Sequence, residues 1–189
     1  MSAIKETFSR IGSLLYIINS LSHQRIGRTA AMKFLYLLQT VRNVPFGYNF
    51  RLYHYGPFSA EVLNEIEYAE SLDALTAEII HYSSGYGYIL RPGENVDYIL
   101  TEAQDFITNY KEELDWIITK FGSKSASDLE LISTAVFIDR NFKDRDRFIL
   151  LNELCKKVME IKPHFNKEQI QSIVIELMRE KILSQINEH

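Results

Sequence analysis

The chain has 189 residues, of which 46% are hydrophobic and 24% charged, with a net charge of −4; these proportions belong to a globular protein and exclude a disordered, fibrous or membrane-embedded one. Roughly 70% of the unfolded surface of such a chain is buried on folding, so the core needs neither disulfides nor metal. Cys155 stands alone, which leaves no intrachain disulfide and no thiolate metal set and fits a reducing cytoplasm. The first twenty residues carry Lys5, Glu6 and Arg10, with no apolar run beyond Leu14 to Ile18. Neither a leader nor a membrane partner is therefore expected.

Residues 4 to 22 predict a helix, because Ile4, Phe8, Ile11, Leu15 and Ile18 recur at three-and-four spacing. Gly27 interrupts the pattern. A second helix is expected from about Thr29, with Ala31, Phe34, Leu35 and Leu38 on its stripe, and Pro45 and Gly47 close it. From Tyr48 to Tyr55 the period changes to two: Tyr48, Phe50 and Leu52 alternate with Asn49, Arg51 and Tyr53, as in a strand, which Gly56-Pro57 ends. Ser59 is placed to cap a third helix running to about Leu72. Ala77 to Tyr82 and Tyr86 to Leu90 read as strands joined by Ser83-Ser84-Gly85, and Val96 to Leu100 as another short strand.

Thr101 and Gln104 have capping-box spacing at the head of a helix carrying Phe106, Tyr110, Leu114, Ile117 and Phe121 on one stripe. Ser127 and Glu130 repeat that arrangement ahead of Leu129, Ile132 and Val136. A further helix is expected from about Arg145, with Phe148, Leu151, Cys155 and Val158 inward; Lys162-Pro163 stops it, because proline disfavours helix in the residue before it. Asn166 and Gln169 form a cap pair for the last helix, Phe165 and Ile170 stand at staple positions, and Ile170, Ile173, Val174 and Leu177 make its stripe. The order predicts a mainly α protein with a small β-hairpin sheet. A winged-helix-like core over residues 1 to 122 would be followed by a C-terminal helical subdomain over residues 123 to 189, packed on the core.

Charge is unevenly spread. Residues 1 to 45 hold six bases against Glu6 alone, residues 46 to 122 hold four bases against thirteen acids, and the remainder holds eleven of each. The basic third is expected to be neutralised by the acidic middle of its own fold rather than by an external polyanion.

The five histidines include no HExxH and no His-x-His pair, and no nucleophile-elbow, Walker or dinucleotide fingerprint occurs. Gly85-Tyr86-Gly87 reads as a hairpin turn, His54 as a structural histidine, and the cluster Glu112, Glu113 and Asp115 as solvated. No catalytic residue, metal or cofactor is expected. The most distinctive segment is Phe46 to Phe58, with six aromatic residues in thirteen positions, and tyrosine's rigid face and polar tip suit a binding surface. Residues 59 to 73, the helix that a winged-helix protein lays in the major groove, carry Glu61, Glu65, Glu67, Glu70 and Asp73 and no base. Approach to a duplex along them is repulsive.

Lys33-Phe34-Leu35-Tyr36-Leu37, Phe50-Arg51-Leu52-Tyr53-His54-Tyr55-Gly56-Pro57-Phe58-Ser59 and Tyr98-Ile99-Leu100-Thr101 resemble the Panacea (SocA-like antitoxin) domain and its YwgA-like bacterial relatives. Leu129-Glu130-Leu131-Ile132-Ser133-Thr134 and Ile161-Lys162-Pro163-His164-Phe165 are similar to the helical tail of the YwgA-like branch. The resemblance implies a winged-helix-like protein without catalysis, binding another protein such as a toxin or serving in phage-associated or defence loci. The expected function is thus that of a protein-binding, antitoxin-like regulator. Its partner-binding residues would be Arg51, Tyr53, Tyr55, Gly56, Pro57, Glu61 and Glu65. The alternative is a DNA-binding regulator using Arg25, Arg28 and Lys33 or the hairpin wing, and the C-terminal helices offer a route to a homodimer.

Overall fold

The computed structural model describes residues 3–83, 85–143 and 149–184. Ser84 of the expected turn, and the expected helix start at Arg145 with Phe148, lie outside these residues. The described chain is mainly helical, with two two-stranded sheets. It divides into two compact units: Met1–Arg51 with Phe58–Ala126, and Leu52–Pro57 with Ser127–His189.

The first unit is built around α1 (Ala3–Ser20). Its second half is buried on nearly every side, with Ile11, Leu14, Leu15, Ile17 and Ile18 all closed to solvent. Two serines survive there because each hydroxyl donates to the carbonyl one turn back, Ser9 to Lys5 and Ser13 to Ser9. Gly12 permits the closest approach, since a Cβ there would overlap the Ala103 methyl. α2 (Arg28–Val41) is buried continuously from Ala30 to Leu38.

The aromatic stretch after α2 departs from the expected strand. Residues 43 to 50 form no ladder; the Gln39 side-chain amide instead accepts from Tyr48 N–H and donates to Tyr48 C=O, both at 2.9 Å. One side chain thereby supplies the two bonds a neighbouring strand would give. Rings close the rest, Tyr36 on Phe50, Phe50 on Tyr48, Tyr48 on Phe46 and Phe46 on Phe106. The ladder comes later, as β1 (Arg51–Tyr53) and β2 (Gly56–Phe58), so Gly56-Pro57 turns into a return strand rather than ending one.

α3 (Ala60–Ser71) follows, with Ser59 at its N-cap position; the serine makes no capping bond with its side chain, which lies 3.3 Å from Glu61 Oε2. β3 (Leu75–Tyr82) and β4 (Gly85–Pro92) form the expected hairpin, Leu75 opposite Pro92 and Tyr82 opposite Gly85. Leu90 N–H extends the sheet by one bond to Ile26 C=O. The expected strand at Val96 to Leu100 is instead α4 (Val96–Glu102): Ile99 and Ala103, four apart, are both buried, and that helical spacing overrides the β-branched composition. The helix expected from Thr101 to Phe121 is consequently segmented into the end of α4, α5 (Gln104–Asn109) and α6 (Lys111–Phe121). Thr101 hydroxyl bonds back to Asp97 C=O rather than capping.

In the second unit α7 (Ala126–Lys143) buries Leu129, Ile132 and Val136 as expected. α8 (Leu151–Ile161) ends before Pro163, and α9 (Lys167–Arg179) opens on a complete Asn166–Gln169 capping box. Asp139, fully buried, accepts from Ser184 N–H at 2.9 Å and Ser184 Oγ at 2.5 Å, and Arg140 donates to Ile182 C=O at 2.8 Å. The segment after α9 is thus clasped to α7. Among the described residues, no helix is long and apolar enough to cross a membrane.

Gly12→Ala is expected to lower stability by about 1–3 kcal/mol through overpacking. Urea unfolding measures the loss, and Ala103→Gly in the same chain should restore part of it.

Candidate functional site

The sequence-derived binding residues divide between the units: Arg51, Glu61 and Glu65 belong to the first, Tyr53, Tyr55, Gly56 and Pro57 to the second. In the second unit the link between β1 and β2 presents Tyr53 and Tyr55, 63% and 68% exposed, with His54 between them. The Tyr53 and His54 rings meet edge to face at 4.7 Å. Gly56 and Pro57 are buried beneath them and support the turn. Gly56 has φ +87, a left-handed backbone that favours glycine, and a Cβ there would press on Thr134 Oγ1 at 3.0 Å and Ser133 Oγ at 3.2 Å.

The turn is held from below by a charge. Lys162, just past α8, is 1% exposed; its ammonium donates to the His54 carbonyl and pairs with Glu130 Oε1 at 2.7 Å. His164 Nε2 lies 3.4 Å from the same oxygen. A buried ammonium is tolerated only with such partners. The sequence motifs contained both Glu130 and Lys162 without revealing the pair. Glu130 has the spacing of a capping partner for Ser127, but α7 begins at Ala126, which puts Ser127 inside the helix and frees the carboxylate for Lys162. The outcome is two exposed tyrosines on a backbone fixed by buried chemistry, a rigid apolar face with polar tips.

In the first unit Glu65 turns inward. It takes Arg10 Nε at 2.6 Å and the Tyr48 hydroxyl at 2.5 Å, while Arg10 also donates to Phe46 C=O. Glu65 is a core group holding α1, the aromatic stretch and α3 together, and is no part of a surface. Burial raises the Glu65 pKa above the usual carboxylate range, although the Tyr48 bond and Arg10 pull the other way. The Tyr48 hydroxyl is driven upward by its own burial and then by Glu65. Glu61 remains exposed, its carboxylate accepting Asn49 N–H at 3.1 Å. Arg51 is exposed.

The candidate phosphate contacts fare unequally. Lys33 is 2% exposed. Arg28 pairs with Glu70 at 3.1 Å and stacks on Tyr88 at 3.9 Å. Arg25 alone of the three is exposed. Other bases of the N-terminal third are likewise matched within the unit, Lys5 to Asp105 at 3.6 Å and Arg42 to Glu112 and Glu113 at 3.6 and 3.7 Å. Among the described residues, no group of three His, Cys, Asp or Glu side chains is arranged to hold a metal ion. No protein-family model matches the chain, and no curated protein matches it.

Lys162→Met strands Glu130 in the interior and is expected to cost about 3–5 kcal/mol. Adding Glu130→Leu should recover most of that loss in urea unfolding, since the uncompensated charge goes with it.

Because the folded state binds the Glu65 proton more tightly than the unfolded chain, this carboxyl's contribution is complete below the unfolded value of about 4.3. It is lost as pH rises through the higher folded value. Thermal unfolding across that range should show the wild type weakening relative to Glu65→Gln as pH increases.

Proposed function

We propose that the protein is a non-catalytic binding module, an antitoxin-like or defence-associated regulator that recognises a protein partner. The carrying observation is the internal use of the N-terminal cations: Arg10, Arg28 and Arg42 are paired with acids of the same unit, and Lys33 is buried. Little of the positive charge of that third is left for phosphate, the main source of affinity for nucleic acid.

With the β1–β2 turn assigned to the second unit, the order α1, α2, α3, β3 and β4, with Leu90 bonded to Ile26, supports a winged-helix-like reading of the first unit. The helix such a domain offers to a groove is α3, whose exposed residues include Glu61, Asn64, Glu67 and Tyr68. That composition suits a polypeptide with basic groups and repels a duplex. The resemblance to Panacea domains points the same way, with a toxin as the partner. In the second unit Tyr53 and Tyr55 offer an aromatic contact of their own, since anchors of this kind dominate binding energy when their geometry is set in advance.

The full chain, tested by fluorescence anisotropy at physiological salt, is expected to bind duplex DNA no tighter than about 10⁻⁴ M. Affinity tighter than about 10⁻⁶ M, falling steeply with salt and abolished by Arg25→Ala, would establish the DNA-binding alternative. Affinity capture from the host should retain a specific protein that the Tyr53→Ala/Tyr55→Ala double variant releases.

A further inference from the structure

We propose that the outer edge of β3 accepts an extended, basic segment of a partner protein as an added strand. The proposal rests on the reading of the chain as a protein-binding module and names the chemistry that such a partner brings.

The hydrogen-bond register carries it. Leu90 N–H points to Ile26 C=O, on the side of β4 away from β3. In an antiparallel pair, residues that bond across alternate with residues that do not, so Ala77, opposite Leu90, directs its own N–H and C=O away from β4. The alternation repeats at Ile79 and His81. These three residues therefore present outward-facing peptide groups, and among the described residues no other backbone group bonds to them. The intervening Glu78, Ile80 and Tyr82 face β4 and complete the hairpin.

Protein edges are usually guarded by proline, by lysine or by very short strands. β3 has eight residues and contains no proline, lysine or arginine. Ile79 is 55% exposed, and Tyr82 and Tyr86 more so. Ala77, Ile79 and His81 share a face with Leu90, Tyr88 and Tyr86, their cross-strand partners. An incoming strand would lay alternate side chains beside Ala77, Ile79 and His81, while its backbone supplies the missing bonds.

Charge selects the occupant. Glu78 on the strand, and Asp73 and Glu94 at the hairpin base, are exposed, with Asn95 N–H bonded to Asp73 C=O drawing the last two together. The one base of the hairpin, Arg91, is committed to the carbonyls of Ser22 and Gln24. Lysine or arginine in the incoming segment is matched by these acids, whereas the β3 of a second copy brings neither.

The test pans phage-displayed random peptides on the full chain and synthesises those enriched. Alternating apolar and basic peptides are expected, slowing amide exchange at Ala77, Ile79 and His81 by at least about tenfold while Glu78 and Ile80 change little. Ile79→Pro removes only an outward donor, which an edge strand tolerates, and should weaken binding at least about tenfold. Ile79→Lys, which keeps the backbone donor and adds a repelling charge, should do the same, and it decides the matter if the proline variant fails to fold. Acidic peptides, no enrichment, no protection at these amides, or unchanged binding by the variants would overturn the proposal. So would a dimer whose β3 amides are protected without peptide. Capture of a host protein through Tyr53 and Tyr55, with no peptide engaging β3, would sink this proposal alone; loss of both would sink the binding-module reading as well.

Discussion

Arg10, Glu65 and Tyr48 form the constraint around which the first unit is organised. One carboxylate buried between a guanidinium at 2.6 Å and a phenol at 2.5 Å joins three pieces of chain that are far apart in sequence. None of the three groups is comfortable alone in a low-dielectric interior, so each fixes the other two. The arrangement draws α3 against α1 through Glu65. In doing so it spends an arginine and a glutamate that, counted only as sequence charges, look available to partners. The same matching recurs at Arg28 with Glu70 and Arg42 with Glu112 and Glu113, which makes internal neutralisation a property of the unit rather than of one site.

The second unit solves a related problem differently. Its exposed Tyr53-His54-Tyr55 turn has a buried ammonium beneath it, and Lys162 is acceptable there because Glu130 and the His54 carbonyl both answer it. A charge placed in this way costs desolvation but fixes direction, since an apolar support would let the turn settle in several orientations. Gly56 adds the backbone freedom that lets the turn lie on α7. The function proposed for these residues depends on that pre-set geometry, because aromatic side chains lose little freedom on binding when the backbone under them is already held.

Several elements were legible from local chemistry alone. The stripes of α1 from Ile11 onward, though not its exposed Ile4, and of α2 and α9, the β3–β4 hairpin, the stop at Pro163 and the Asn166–Gln169 box all obey rules that operate within about four residues. The departures from local rules lie where distant partners intervened. Tyr48 to Phe50 alternates like a strand, yet Gln39 supplies its backbone bonds, and side-chain mimicry of a ladder leaves no periodic signature. Val96 to Leu100 has a strand's composition, but Ile99 and Ala103 are buried at helical spacing. The exposure of the candidate residues was partly legible: tyrosines in a turn announce themselves, whereas the inward rotation of Glu65 and the burial of Lys33 do not.

By itself the sequence determined the mainly helical class, the positions of most elements and the segregation of charge along the chain, because periodicity, caps and turn residues act over short range. Only the tertiary structure decided which charges remain for a partner, which peptide groups of β3 are left open and which lysine supports the tyrosine turn. Pairing between residues far apart in the chain depends on which surfaces meet, and that is settled by packing the whole core at once.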